Sequence, residues 1–300
     1  MKKYFSMAAF MLLAASCSNE ESLDSSVNNF NVQALAPVKV HVDGFSVSHE
    51  DFSGTRTRAA QDVADYNDVN AVTLAFYNGS TEVEKVTQLK SDGSTYTTFG
   101  EFSLSLPMGT YTMVALAYYN SDASPLELTS PTAAAYTGTR AYETFAYTQE
   151  VVISNTEAVD ISATLDRIVS KLQVISTDGK TADVSNVRMT FSAGGKSFNP
   201  TTGLANVNTG FANTVSNSAS VGNTSTSLSF LFLATDEQDI DVTIETLDAD
   251  GNTLFSKTIE DVPFQRNKVT KLTGAMYTNT GIAGSFQVNT AWLTANDVNF

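Results

Sequence analysis

The sequence predicts an all-β protein made of two β-sandwich domains, and three observations favour that prediction. Val38, Val40 and Val42 alternate with polar residues, a period of two that is typical of a half-buried strand. Turn signals follow such runs closely, as at Asn78-Gly79, a dipeptide common in β-hairpins. Charged residues make up only 16% of the chain, whereas long surface helices expose a charged face. Many short strands between close turns favour sandwiches over a parallel sheet.

The first half of the chain alternates predicted strands with turns. The strands cover residues 38–47, 71–77, 83–89, 102–106, 111–119 and 148–153. Gly44 interrupts the first of them and indicates a bend or a bulge. Residues 51–60 contain Gly and polar side chains and are predicted to form an exposed loop. Residues 120–143 are rich in Ser, Ala, Thr and Pro, so they are predicted to form a long loop with room for a short helix.

The second half repeats this hairpin style. Residues 159–175 fit a helical stripe through Leu165, Ile168, Val169 and Leu172, but their β-branched content favours strand. Further strands are predicted at 187–191, 228–233, 240–246, 254–259, within 267–277 and at 286–292, with a polar loop at 201–223. The domain boundary falls near residues 151–160, which gives one domain at 37–157 and a second at 158–300.

The N-terminal segment has the pattern of an export signal. Lys2 and Lys3 precede an apolar run, residues 4–15, that is too short to span a bilayer. Residues 13–17 resemble a bacterial lipobox, and Cys17 is the only cysteine of the chain. This resemblance implies that residues 1–16 are removed as a signal peptide and that Cys17 carries a lipid, with residues 17–36 as a tether. The alternative is an ordinary secretory signal in which the cysteine is incidental.

Composition argues against several classes of function. The net charge is −15, without a basic cluster, so no nucleic-acid partner is expected. His41 and His49 are the only histidines, and both precede the body of the chain. A catalytic triad or a His/Cys metal cluster is therefore not expected there. The sequence predicts no enzymatic activity, no cofactor and no metal, although a carboxylate pair for glycoside hydrolysis stays open.

Two groups of side chains leave alternatives open. The acidic cluster at positions 236–241 either binds calcium or forms a solvated surface, and the absence of EF-hand spacing favours the surface. Trp292 with Tyr77, Tyr118 and Tyr119 forms either a sugar-binding face or part of the core, which is the commoner use of such aromatic residues.

Three further features occur together. They are Cys17 in its lipobox, the strand 38–47 followed by Arg56 and Arg58, and the segments Leu-Asp-Arg at 165–167 and Val-Pro-Phe-Gln-Arg-Asn at 262–267. Together these features resemble the fimbrillins, the subunits of strand-exchange pili made by gut and oral Gram-negative anaerobes. The strand-turn-strand at 104–117 also suits that family's N-terminal sandwich. The resemblance implies that the sandwich at 37–157 is transthyretin-like.

The resemblance also implies a mechanism of assembly. Subunits are exported as lipoproteins, attached to the outer membrane through lipid. An arginine-specific protease then cuts after Arg58, with Arg56 as the alternative, and leaves Ala59 as the new N-terminus. The first strand and its arginine loop, 37–58, depart and open an apolar groove that a neighbouring subunit's strand fills. The residues expected to point inward from the departing strand are Val38, Val40, Val42, Phe45 and Val47.

The C-terminal segment 283–300 contains the candidate donor strand. Its alternating residues are Phe286, Val288, Thr290 and Trp292, and the alternative is an ordinary last strand of the second sandwich. The implied partners are other fimbrial subunits, the protease and the lipoprotein processing machinery. The implied function is a structural or tip subunit of a cell-surface fimbria used in adhesion. The alternative is a surface lipoprotein that binds glycans or host proteins.

Overall fold

The computed structural model describes residues 34–50, 56–277 and 287–289. Nearly all of these residues lie in strands or in the turns between them, so the all-β prediction is confirmed. A short 3-10 turn, Lys90–Asp92, follows the fourth strand. The strands of the first half are β1 Leu35–Glu50, β2 Arg56–Gln61, β3 Ala71–Asn78, β4 Thr81–Leu89, β5 Glu101–Pro107, β6 Gly109–Tyr118, β7 Leu126–Ser130, β8 Ala133–Tyr136, β9 Thr144–Ile153 and β10 Val159–Arg167.

The second half continues with further antiparallel hairpins and paired strands. Among the described residues, no helix has the length and apolar character needed to cross a bilayer. The strands of this half are β11 Ser170–Ser176, β12 Asn186–Phe191, β13 Ser197–Phe198, β14 Phe211–Ser216, β15 Thr226–Leu231, β16 Glu237–Leu247, β17 Thr253–Gln265, β18 Val269–Gly274 and β19 Gln287–Asn289.

Two layers of strands enclose the first core. One layer has the order β4-β3-β6-β9 and ends on Asp166 and Arg167 of β10. The other layer is β5-β1-β10, in which residues 159–165 of β10 pair with β1. Because β10 changes its partner along its length, it joins the two layers. Inward residues of both layers form one buried cluster, which includes Val38 and Val40 from β1 and Leu74 and Phe76 from β3.

The second half contains another pair of sheets. Their strand orders are β15-β11-β18-β19 and β14-β12-β16-β17, and they enclose a core that includes Leu172, Met189 and Ile244. The β7–β8 hairpin pairs with β13 and covers the outer face of β3 and β6, where a third core contains Tyr77 and Phe232. This third core joins the two halves of the chain. The division into domains at residues 157 and 158 stays a prediction.

The ambiguous stretch 159–175 is extended, as its β-branched content indicated. Its apparent helical stripe arises because three separate cores receive side chains from it. Leu165 lies in the first core, Ile168 and Val169 lie in the third, and Leu172 lies in the second. A break between two strands therefore imitates the spacing of a helix, since strands on either side of the break face different cores.

Three predicted loops contain strands, so those predictions were wrong in part. Residues 56–61 form β2, residues 120–143 contain β7 and β8, and residues 201–223 contain β14. In each case small or polar side chains hide the period of two, and pairing with a neighbouring strand stabilises the extended backbone. The pairs that do this join β2 to β1, β8 to β13 and β14 to β12.

Candidate functional site

The first strand lies between two others, so it is a central strand and not an edge. Residues 35–41 of β1 pair antiparallel with β5, and residues 38–45 pair parallel with β10. Val38, for example, has Leu104 on one side and Val159 on the other. Removal of β1 would therefore leave two unpaired strand edges facing each other. We call the space that residues 35–45 occupy between β5 and β10 the β1 slot.

The inward face of β1 is part of the first core. Ala36 and Val38 are fully buried, and Val40 and Val42 expose at most 2% of their surface. They pack in one cluster with Met113 of β6, among other residues of the opposite layer. The alternation in the sequence therefore predicted correctly that these valines point inward. The other two predicted members, Phe45 and Val47, lie in β1, but their side chains lie outside the described part of the structure.

Beyond the end of β5, β1 pairs with a second strand, β2. Phe45 pairs with Leu165 on one side and with Gln61 on the other, so β2 lies along the same edge of β1 as β5. A register shift between Val42 and Gly44 marks this change of partner. The amide of Val42 donates a 3.0 Å hydrogen bond to the carbonyl oxygen of Gly100, just before β5. The β1 backbone is thus paired along both of its halves.

The candidate cleavage site lies within β2 and not in a loop. Arg58 pairs with Ser48, and Ala59 pairs with Val47. Arg56, the alternative site, pairs with Glu50 at the start of the same hairpin. The strand forms because the end of β1 extends past β5 and offers backbone groups that β2 satisfies. Cleavage after Arg58 therefore requires local opening of β2, since a protease needs a detached, extended segment.

The outward face of the β1 slot is polar. Lys39 and His41 of β1 lie there beside Glu101 of β5 and Asp160 of β10. The imidazole Nδ1 of His41 lies 3.3 Å from Oε1 of Glu101, and its Nε2 lies 2.8 Å from Oδ1 of Asp43. A pocket of about 330 Å³ is lined by these side chains and their neighbours. The sequence analysis missed Glu101 and Asp160, because only the strand register brings them beside β1.

The remaining predicted site residues are only partly described. Val288 lies in β19, which pairs antiparallel with β18 and places Val288 opposite Leu272. Cys17, Phe286, Thr290 and Trp292 lie outside the described residues. The candidate donor segment therefore touches the second half of the chain through β19, and its role as a donor stays a prediction.

A partly buried arginine connects the edge of the slot to the second half of the chain. Arg167 ends β10, and its Nη1 donates a 2.9 Å hydrogen bond to Oδ1 of Asn267. Its Nε lies 2.6 Å from Oε1 of Glu143, and its Nη2 donates a 3.1 Å hydrogen bond to the hydroxyl of Tyr66. Burial alone lowers the pKa of Arg167, but Glu143 and Tyr66 outweigh it and raise that pKa. The two quoted segments 165–167 and 262–267 thus meet in space.

The aromatic residues separate into core and surface. Tyr77 and Tyr118 are buried in the third core, and burial, with a smaller contribution from Glu82, raises the pKa of Tyr77 to about 12. They cannot line an exposed sugar-binding face, which confirms the core interpretation for these two. Tyr119 is 41% exposed and lies beside Tyr142, with ring centroids 5.1 Å apart.

The acidic cluster at 236–241 forms ordinary surface contacts. Asp236 pairs with Arg266 at 2.8 Å, and Oδ1 of Asp241 accepts a 3.0 Å hydrogen bond from the amide of Asp261. Within the described ranges, no group of three or more His, Cys, Asp or Glu side chains is arranged to hold a metal ion.

Comparison with known families places the sequence in one of them. The model of a family of unknown function, DUF6562, matches residues 38–296. The chain belongs to DUF6562. The match begins inside β1 and so includes the strand that fills the slot. No curated protein matches the sequence of this DUF6562 chain.

Several solved structures are similar to this DUF6562 chain. A candidate adhesin from Bacteroides ovatus is 13% identical with a TM-score of 0.49, over 80% of this chain and 88% of that one. The fimbrial anchor protein Mfa2 from Porphyromonas gingivalis is 11% identical with a TM-score of 0.47, over 87% and 99% of the two chains. The tip fimbrial protein Mfa3 from the same organism is 9% identical with a TM-score of 0.40, over 85% and 98%. These scores are too low to carry an argument about this chain.

Proposed function

We propose that this protein is a subunit of a cell-surface fimbria that assembles by strand exchange and serves in adhesion. It is exported as a lipoprotein through Cys17 and matured by an arginine-specific protease that cuts after Arg58. Residues up to 58 then leave, and a strand from another subunit enters the β1 slot. One observation carries the proposal: β1 is a buried central strand whose own chain continues directly into the arginine pair.

The slot is strong enough to hold a replacement strand. Each of the three buried valines of β1 contributes about 1.5–3 kcal/mol of apolar burial, which gives about 4.5–9 kcal/mol for the set. Backbone pairing on both sides adds to this, because β5 and β10 would otherwise expose unpaired groups. An empty slot is therefore costly, and any strand with apolar residues at alternate positions lowers the free energy by filling it.

The geometry also explains how one contact leads to a polymer. A strand donated by one subunit to the slot of the next forms a contact between two different surfaces. Such a contact does not close on itself, so it repeats along a fibre. The candidate donor is the segment 283–300, which follows β18 at the other half of the chain.

The proposal is tested by controlled cleavage of the full chain. Brief digestion with an arginine-specific protease should yield a product that begins at Ala59, as read by mass spectrometry. Native gels of that product should then show ladders, and electron microscopy should show fibres. A cleaved product that keeps its first strand and stays monomeric would contradict the proposal.

Two variants separate this event from general proteolysis. Arg56→Gln combined with Arg58→Gln should abolish both the Ala59 product and the ladders. The matched control is Arg140→Gln, which removes an arginine whose guanidinium stacks on the ring of Tyr142 at 4.8 Å, far along the chain from β1. That variant should polymerise like the unmodified protein.

A further inference from the structure

The outward face of the β1 slot shows a pattern of opposite charges. The two outward side chains Lys39 and His41 belong to β1 and are basic. Each has one acidic partner in register, because His41 lies opposite Glu101 of β5 and Lys39 lies beside Asp160 of β10, and their partners on the other side are Ser162 and Ser103. The two basic and two acidic side chains are all exposed. At these positions the basic side chains belong to the strand that leaves and the acidic ones to the strands that remain, although Asp43 further along β1 is acidic.

We call Glu101 and Asp160 the acidic rim of the slot, and one contact of His41 joins the resident strand to it while a second lies within β1. The two ring nitrogens of His41 lie 2.8 Å from a carboxylate oxygen of Asp43 and 3.3 Å from one of Glu101. The ring therefore lies between a carboxylate of its own strand and a carboxylate of β5.

Departure of β1 would leave this rim without compensation. Glu101 and Asp160 would remain on opposite sides of the empty slot, in a chain whose net charge is −15. Like charges on directly opposite strands destabilise pairing, whereas opposite charges stabilise it. An incoming strand with acidic outward side chains is therefore rejected, and one with neutral side chains leaves the rim unpaired. Such a difference in binding free energy between candidate strands makes a slot selective for one partner over another.

We infer that the acidic rim of Glu101 and Asp160 makes the β1 slot selective for a strand of another subunit that carries Lys, Arg or His at its outward positions. This inference rests on the proposed function. The candidate donor segment of this chain has Gln287, Asn289 and Ala291 between its apolar residues. These side chains are neutral, so a second copy of this chain matches the rim less well than β1 does. The preferred occupant is a different subunit with a basic outward face.

The first test uses the intact full chain and needs no strand exchange. Amide hydrogen exchange of residues 35–42 measures how often β1 opens. Lys39→Gln combined with His41→Gln should raise the exchange rate of these amides about two- to fivefold, as expected for exposed ion pairs. Glu101→Gln combined with Asp160→Asn should raise it by a similar factor. All four substitutions together should raise it no further than either pair, because both pairs remove the same interactions between β1 and its flanking strands, and the contact of His41 with Asp43 lies within β1.

A matched control removes an ion pair far from the slot. Lys85→Gln breaks the 2.6 Å contact with Glu82 on β4 and should leave the exchange of β1 unchanged. Salt at about 0.5 M should reduce the difference between the charged and neutral strands, because it screens exposed charges. Unchanged exchange in both double variants, or effects that simply add, would overturn the inference.

The second test concerns the incoming strand. Labelled peptides of residues 34–50, with and without Lys39→Gln and His41→Gln, are offered to the full chain after cleavage at Arg58. The basic peptide should bind about two- to fivefold more tightly than the neutral one, and the Glu101→Gln, Asp160→Asn protein should bind both equally. Equal binding to the unmodified protein would overturn the selectivity while leaving strand exchange intact. Failure of every peptide to bind would overturn the proposed function itself, whatever the exchange rates of β1 show.

Discussion

Arg167 and Asn267 are joined by a 2.9 Å hydrogen bond from Nη1 to Oδ1, although they lie a hundred positions apart in the chain. Arg167 ends β10, the strand that borders the β1 slot, and Asn267 lies in the turn before β18. The bond therefore fastens the edge of the slot to the second half of the chain. Glu143 completes this junction through its 2.6 Å ion pair with Arg167.

Loss of this arginine should destabilise the fold. Arg167→Ala removes the ion-pair partner of Glu143, whose side chain is only 10% exposed and keeps the 2.9 Å hydrogen bond from the Tyr66 hydroxyl; a buried charge left without its ion-pair partner typically costs about 3–5 kcal/mol. We expect the free energy of unfolding in urea to fall by about 3 kcal/mol. Arg266→Ala is the matched control, because its partner Asp236 is 67% exposed and exposed pairs contribute about 1 kcal/mol or less. Equal losses for the two variants would contradict this account of the junction.

The inward valines of β1 should determine how firmly the strand is held. Val40→Ala removes two methyl groups from a side chain that is 1% exposed, and we expect it to lower the free energy of unfolding by about 1.5–3 kcal/mol. Amide exchange of residues 35–42 should rise with it. Ser162→Ala changes an outward side chain of β10 and should alter stability by less than about 0.5 kcal/mol. A loss from Val40→Ala no larger than that from Ser162→Ala would show that β1 is not part of the core.

Gly100 should be difficult to replace. Its φ is +92°, and a Cβ there would lie 2.7 Å from Cγ1 of Val63. Gly100→Ala should therefore cost about 1–3 kcal/mol from backbone strain and crowding, measured by thermal or urea unfolding. Gly93→Ala is the control, because its φ is −57° and nothing lies within 4 Å of an added Cβ. The control should be neutral or slightly stabilising.

The ion pair between Arg188 and Glu245 should make stability depend on pH. The guanidinium donates two hydrogen bonds, of 2.6 and 2.7 Å, to the carboxylate across β12 and β16, and this lowers the pKa of Glu245. A carboxyl whose pKa is lower in the folded state adds stability above its unfolded pKa of about 4.3, and that stability is lost as the pH falls further.

Glu245→Gln isolates this contribution. At pH 7 the variant should be less stable than the unmodified protein by about 0.5–1 kcal/mol, since the pair is partly exposed. At about pH 2.5 the difference should be smaller, because the contribution of this carboxyl is lost progressively as the pH falls below its unfolded pKa. A stability difference that is the same at both pH values would contradict the assignment.

The sequence predicted the class of fold and the inward face of β1, but not the strands that small or polar residues form. Val38, Val40 and Val42 carry a clear period of two, and each is buried as predicted. Strand β8 of the β7–β8 hairpin has no comparable signal, because Ala133, Ala134 and Ala135 do not distinguish its two faces. It is extended because it covers Tyr77 and pairs with β13, and such tertiary pairing is not visible in a local pattern.

The candidate site was only partly predictable, again because tertiary pairing is not visible in a local sequence pattern. Arg58 stands out in the sequence, yet its strand forms only because β1 extends beyond β5. Glu101 and Asp160 lie about sixty positions apart in sequence and on different strands, and only the registers of β5 and β10 bring them to either side of β1. Long-range register is set by the packed core, so a single sequence without structure does not reveal it.

In the proposed assembly β1 must leave its slot before subunits join, and a reversible disulfide between β1 and β5 tests this requirement. Pro37 and Ser105 are exposed and lie directly opposite each other on β1 and β5, near the spacing that a disulfide needs. The Pro37→Cys, Ser105→Cys protein, oxidised and then cleaved at Arg58, should keep its first strand and stay monomeric. The same sample should form ladders on native gels once the disulfide is reduced. Ladders of equal extent in the oxidised and reduced samples would contradict this requirement.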